Sequence, residues 1–182
     1  MQITLRETTP GDAALMARLG RETFEESWSM YYKPELMNKF LQQNYSVEQI
    51  AKDLADPLFI HFIAFIDEEA AGFVKLSRQQ TLADWINDRC IEICRIYVYK
   101  KFHDQKIGKL LMERSIELAE NENMDSLVLG VWENNHRAVN FYRRFGFEPI
   151  GTHIFYVSEQ ADTDLVMRKI LKSSEEDKEQ SS

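Results

Sequence analysis

Apolar positions along the chain change period in a regular order, and each change marks an element. Gln2–Arg6 alternates apolar and polar side chains, the two-residue period of a half-buried strand. Thr9-Pro10-Gly11-Asp12 breaks that pattern as a turn and helix start, with Asp12 the expected N-cap. From Ala14 to Glu25 the spacing is helical through Leu15, Leu19 and Phe24, and a second helical piece follows Pro34 with Leu36, Met37, Phe40 and Leu41 on one face. A third opens at Ser46, where Gln49 completes a capping-box spacing and Val47, Ile50 and Leu54 supply the apolar face. Phe59–Ile66 and Ala71–Leu76 read as a hairpin around Asp67-Glu68-Glu69-Ala70, and Ser77–Asp88 as a polar connection.

The next stretch, Cys90 to Lys109, carries the most information. It begins as a β-branched and aromatic strand, crosses a basic loop and opens a helix near Ile107, with Leu110, Leu111, Leu118 and Ala119 on the same side. A strand that runs into a helix leaves backbone N–H groups converging on one spot, backed by the positive end of the helix dipole, which suits phosphate. The strand also changes phase. Ile91 and Ile93 keep period two, but the next aliphatic pair, Ile96 and Val98, is displaced by one residue. Such a slip predicts a β-bulge around Cys94-Arg95, with an amide freed for a ligand.

Leu127–Trp132 follows as a strand apolar throughout except at Gly130, as expected of one covered on both faces. Asn134 or Asn135 then caps a helix with Ala138, Phe141, Tyr142 and Phe145 at helical spacing, and Gly146 stops it. Two strands close the chain, Ile150–Val157 and Asp164–Leu171. The order is β-α-α-β-β-β-α-β-α-β-β, counting the two pieces after Pro34 as one, and it predicts an α/β fold with a mixed central sheet.

Composition narrows the setting. The 182 residues suit a single domain over 1–171 with a disordered acidic tail at 172–182. Arg6, Glu7 and Asp12 interrupt the N-terminus against a signal peptide, and no apolar run approaches membrane-spanning length. Cys90 and Cys94 are about 13 Å apart at strand rise, too far for a disulfide, and form no zinc pattern with the four histidines. Buried or half-buried thiols in a reducing cytoplasm, and no bound metal, are the expectation. The net charge of −8 argues against nucleic acid and anionic membrane as partners. Yet Lys100, Lys101, Lys106 and Lys109 cluster around one acid, Asp104, and Arg137, Arg143 and Arg144 form a second basic group. Local basic patches on an acidic body suit a polyanionic cofactor with a cationic substrate, although charge runs are also commonly just solvated.

The central stretch resembles the acetyl-CoA-binding signature of the GCN5-related N-acetyltransferases (GNAT). In that family a strand Leu-x-x-Leu-x-Val leads to a loop Gln/Arg-x-x-Gly-x-Gly/Ala. Here Ile93, Ile96 and Val98 fill the strand and Gly108 the last loop position, while His103 and Lys106 depart from the pattern. Asn135-His136-Arg137-Ala138-Val139-Asn140-Phe141-Tyr142-Arg143-Arg144-Phe145-Gly146-Phe147 is similar to the family's second motif, Asn-x-x-Ala-x-x-Phe-Tyr-x-Lys/Arg-x-Gly-Phe. Glu92-Ile93, Arg95 to Val98, Leu129 to Glu133, Gly151-Thr152-His153 and Thr163-Asp164-Leu165 further resemble the PaiA-type polyamine acetyltransferases.

The resemblance implies a GNAT fold with a splayed, bulged central strand, and direct attack of an amine on acetyl-CoA. It implies cofactor contacts at Ile96, Tyr97 and Val98, at His103, Asp104, Gln105, Lys106, Ile107, Gly108 and Lys109, and at Asn135, Arg137, Tyr142 and Arg144. Tyr142 occupies the family's general-acid position; at a reference pKa of about 10 it can protonate a thiolate of pKa about 8.5. Glu92 is the candidate base, through water, or else a charged residue at an exposed sheet end. The segment between the first two helices lines the acceptor cleft in the family, which makes Phe24 and Trp28 substrate candidates, with His153 on the acceptor side. The implied partner is a small-molecule amine such as spermidine or spermine, the chain being a monomer or homodimer. A protein N-terminal acetyltransferase and a CoA-binding regulator without catalysis are the alternatives.

Overall fold

The computed structural model describes residues 1–171; the expected tail at 172–182 lies outside them. The elements are β1 (Ile3–Glu7), α1 (Ala13–Trp28), α2 (Pro34–Tyr45), α3 (Val47–Ala55), β2 (Phe59–Ile66), β3 (Glu69–Ser77), β4 (Cys90–Val98), α4 (Ile107–Asn121), β5 (Ser126–Trp132), α5 (His136–Arg144), β6 (Glu148–Val157) and β7 (Gln160–Ile170). Short 3-10 turns cover Pro10–Asp12 and Lys100–Gln105. The strands form one sheet in the order β1-β2-β3-β4-β5-β7-β6. Within it β4 and β5 run parallel, and the other neighbouring strands antiparallel.

The side-chain alternation of the strands divides the core. Ile60, Phe62, Ala64, Val74, Leu76, Ile91, Ile93, Leu127 and Leu129 pack with α4 and α5 on one face. Ile63, Phe73 and Tyr97 pack with α1, α2 and α3 on the other. Ile96 and Val98 join Ile91 and Ile93 on the α4 face, although the spacing between the pairs is odd. An extra residue must therefore sit between them. Lys75 pairs with Arg95 and Leu76 with Ile93, so Cys94 is the bulged residue, where the sequence phase predicts it.

Two local expectations differ from the structure. Asp12 does not cap α1 with its side chain. Its carboxylate is held by two 2.8 Å hydrogen bonds from Arg6 and one of 2.7 Å from the Thr9 amide, and a bidentate charged partner outcompetes a neutral cap. Ser46 does accept from the Gln49 amide at 3.2 Å, but Gln49 gives its side-chain amide to Asp53 at 2.9 Å instead of closing the capping box. Asp53 attracts it because it carries the charge that neutralises buried Lys75, 2.5 Å away. The last two strands also start earlier than the sequence suggests, at Glu148 and Gln160, and meet across a tight turn with Ser158 at φ 55°.

Candidate active site

β4 and β5 separate partway along their length. Cys90 to Ile93 pair with Ser126 to Leu129, and the pairing ends there. Beyond it, Arg95 to Val98 pair with β3 alone, and Gly130 to Trp132 with β7 alone. The bulge turns the rest of β4 toward β3. Gly72 permits this close approach, since a Cβ there would stand 2.5 Å from the Tyr97 carbonyl oxygen. The result is a wedge between two parallel strands, with β4 backbone groups of the Ile96, Tyr97 and Val98 segment left without a strand partner on that side. Unpaired backbone at a strand edge is a template for an extended polar ligand.

The wedge opens toward the start of α4. The His103 Nε2–H donates to the Val98 carbonyl at 3.0 Å and ties the loop to the strand end. Lys106 then takes a left-handed conformation at φ 62°, costing a non-glycine residue about 1–2 kcal/mol, and turns the chain into the helix. The first amides of α4 have no intrahelical partner, and a Cβ added at Gly108 would meet Phe141 at 3.6 Å and Val98 at 4.0 Å, both ordinary contacts. Ile107 is fully buried in the core and offers backbone only. Asp104 and Lys109 are exposed, and Lys109 lies 3.5 Å from Glu113. Gln105 Oε1 is buried with no hydrogen-bond partner, an acceptor awaiting a donor. Arg137 and Arg144 are exposed on α5 and make no ion pair among the described residues. Asn135 caps α5, its Oδ1 accepting from the Ala138 amide at 3.2 Å. Free strand amides, an uncrowded helix start, nearby cations and an orphaned amide oxygen together fit the pantetheine and phosphates of acetyl-CoA.

Tyr142 comes from the opposite side of the wedge. Its ring packs against Phe147 and Phe141, at 5.9 and 5.5 Å between centroids. Its hydroxyl makes no hydrogen bond among the described residues, and burial pushes its pKa upward, with Asp164 adding to the effect. The phenol therefore stays protonated.

The other face of the sheet carries the acceptor candidates. Trp28 donates from Nε1 to the Tyr97 hydroxyl at 3.1 Å. Trp28, Tyr31 and Trp132 form a three-ring wall with centroid separations of 5.8, 5.0 and 6.0 Å. Behind it, Tyr32 donates to Asp162 at 2.6 Å. Phe24 instead stacks on Phe40 at 4.6 Å and is buried in the helical core. His153 donates from Nδ1 to the Leu82 carbonyl at 3.1 Å, which leaves Nε2 unprotonated in the neutral ring.

Glu92 lies in the sheet interior rather than at an exposed end. It is buried and accepts from the Thr81 amide at 2.7 Å and the Thr81 hydroxyl at 3.2 Å. Burial raises its pKa, and the Thr81 bonds oppose the rise. Asp162 and Asp164, two apart on β7, point to this face beside Trp132, which pairs with Asp164. Sequence reasoning assigned neither a role, and it passed over Trp132 too. The available signal was a pair of acids alternating at the start of an otherwise apolar strand, beside a strand that ends in Trp. Among the described residues no group of three or more His, Cys, Asp or Glu side chains is placed to hold a metal ion. No helix among them is long and apolar enough to cross a membrane.

The sequence profile described as the acetyltransferase (GNAT) family matches residues 15–147. An uncharacterized N-acetyltransferase of Lactobacillus delbrueckii subsp. lactis is 31% identical over 153 residues, 84% of this chain and 88% of that one. A spermidine N(1)-acetyltransferase of Thermoplasma acidophilum is 23% identical over 175 residues, 93% of this chain and 98% of that protein. The crystal structure of the PaiA N-acetyltransferase of Thermoplasma acidophilum, in complex with coenzyme A, superposes with a TM-score of 0.75 at 21% identity, covering 93% of this chain and 99% of that one.

Proposed function

The chain belongs to the acetyltransferase (GNAT) family of N-acetyltransferases, and from that premise we propose that it acetylates a primary amine of a polyamine such as spermidine or spermine. Acetyl-CoA supplies the activated acetyl group as a thioester. The residues of the wedge do the rest. Amides of the Ile96–Val98 segment and the start of α4 bind and orient the donor, with Lys106, Arg137 and Arg144 near its phosphates. Tyr142 gives a proton to the departing sulfur. Its raised pKa keeps the phenol protonated until the thiolate forms, and a thiolate released into a buried wedge is made more basic by the same loss of solvent.

The observation that carries the polyamine reading is the Trp28–Tyr31–Trp132 wall with Asp162 and Asp164 beside it. Aromatic faces attract ammonium groups, by about 0.5–1 kcal/mol when exposed and about 2 kcal/mol when desolvated. A polycation with several ammonium groups along an apolar stem gains from both features at once, and a neutral peptide chain does not. The likeness to the Thermoplasma acidophilum spermidine enzyme supports the same class. An acetyl-CoA turnover screen across polyamines, N-terminal peptides and aminoglycosides tests it. Polyamines should show the highest kcat/KM. Raising salt should raise KM for spermine more than for a monoamine, because exposed charges are screened beyond about 8 Å at physiological salt. Peptides or aminoglycosides turned over well above any polyamine would refute it.

A further inference from the structure

Asp164 stands where the two halves of the site meet. A Cβ built on Gly130 would lie 3.2 Å from Asp164 Oδ2 and 3.3 Å from Leu82, so the carboxyl rests on the β5 backbone one residue past the end of its pairing with β4. A larger residue at position 130 would have to displace the carboxyl or Leu82 by a few tenths of an ångström. The side chain is nine-tenths buried, yet it makes no hydrogen bond or ion pair among the described residues. Unlike Gln105 Oε1, the Asp164 oxygens are not sealed from solvent, so the carboxyl is unpartnered yet reachable, as a proton acceptor in an active site must be. The titratable groups around it are Tyr142 from α5, Tyr32 from the segment before α2, Asp162 on its own strand and His153 opposite it on β6. None of them donates a hydrogen bond to it.

We propose that Asp164, rather than Glu92, is the general base that takes the proton from the acceptor ammonium. Glu92 is less suited: its Oε2 accepts from both the Thr81 amide and the Thr81 hydroxyl, and it lies within the paired part of β4 beside Val128, short of the point where β4 and β5 separate. Asp164 has nothing to release before it can accept a proton, and it faces the same side of the sheet as Trp132. Burial, with Asp162 adding to it, raises its pKa to about 7. Against an amine of pKa about 10, that makes the equilibrium for proton removal about 10³-fold more favourable than an ordinary carboxylate would. The step balances. The ammonium gives one proton to Asp164, and the nitrogen lone pair forms the C–N bond as the C–S bond breaks. The sulfur keeps that electron pair and takes a proton from Tyr142. The second proton leaving the nitrogen restores Tyr142, and the one on Asp164 passes to solvent.

This assignment rests on the acetyltransferase reading but not on the polyamine one. It is therefore tested on whichever amine the wild type accepts, a monoamine included. Asp164→Asn should lower kcat/KM about 10²–10⁴-fold at pH 7, with acetyl-CoA affinity and Tm not reduced. The wild-type profile of log kcat/KM should bend near pH 7, and the variant should lose that bend while Glu92→Gln keeps it. Three results would overturn the assignment: a bend that survives in Asp164→Asn, one that disappears in Glu92→Gln, or an Asp164→Asn effect confined to KM, which would mark an ammonium anchor. Independently of turnover, the Asp164 carboxyl should titrate near 7 by carbon-detected NMR in the free protein, and a value below about 5 would exclude the role. Failure of the polyamine reading would show separately, as a wild type that prefers another amine.

Discussion

Replacing His61 by Phe should flatten the acid limb of this protein's stability curve. His61 lies on β2 opposite Lys75, buried, with Nε2 lacking any hydrogen-bond partner. Lys75 is held as a cation by Asp53 at 2.5 Å, so a second positive charge on the imidazole is opposed by both desolvation and repulsion, and its pKa falls to about 4. Above pH 6.5 the ring is neutral folded or unfolded and contributes nothing. As pH falls below that, the unfolded chain takes up the proton first, and stability is lost until the folded ring titrates near 4. At about 1.4 kcal/mol per unit the total reaches about 3 kcal/mol, of which about 2 kcal/mol is gone by pH 5. Glu92 and Asp164, whose pKa values are raised in the fold, act in the opposite sense, and both are common to the two proteins. The quantity to read is therefore the difference between wild type and His61→Phe in urea midpoints at pH 7.5, 6 and 5. With a urea slope of about 2 kcal/mol/M, the variant should gain about 1 M relative to wild type between pH 7.5 and 5, whatever its absolute stability. Parallel curves, or a His61 ring titrating near 6.5 by NMR, would refute the reasoning.

Two substitutions probe the donor side. Tyr142→Phe keeps the ring packing and removes the proton donor, so kcat should fall about 10²–10⁴-fold with acetyl-CoA affinity little changed; an unaltered kcat, with chemistry shown to limit the rate, would remove Tyr142 from the mechanism. Gly108→Glu should fold, because a Cβ there meets nothing closer than 3.6 Å, but it places bulk and negative charge at the start of α4. Calorimetry should then show acetyl-CoA binding lost, and with it the rise in Tm that ligand gives the wild type. Wild-type affinity in that variant would mean the phosphates lie elsewhere.

The sequence by itself determined the element order, the bulge and the helix stops, because each is a local consequence of side-chain period or backbone permission. The one-residue slip between Ile93 and Ile96 could be accommodated only by an extra residue in β4, and Cys94 is that residue. Gly146 takes φ 88° where the helix pattern ends. The same local logic overstated Asp12 and Gln49, whose side chains were claimed by Arg6 and by Asp53, partners that a pattern of spacings does not rank. Lys106 adopts the left-handed turn that glycine would take more cheaply, since the loop closure imposed by His103 on Val98 decides its conformation. What only the tertiary structure decided is the acceptor side. Trp28 at the end of α1, Tyr31 in the turn after it, Trp132 at the end of β5 and Asp162 and Asp164 on β7 lie more than a hundred residues apart in part, and no period links them. They meet because β4 and β5 diverge and β7 inserts beside β5. Sequence position cannot show that Glu92 is tied to Thr81 while Asp164 is left without a partner, because both read simply as acids within apolar strands. Burial and hydrogen bonding separate the two, and these exist only once distant segments have packed.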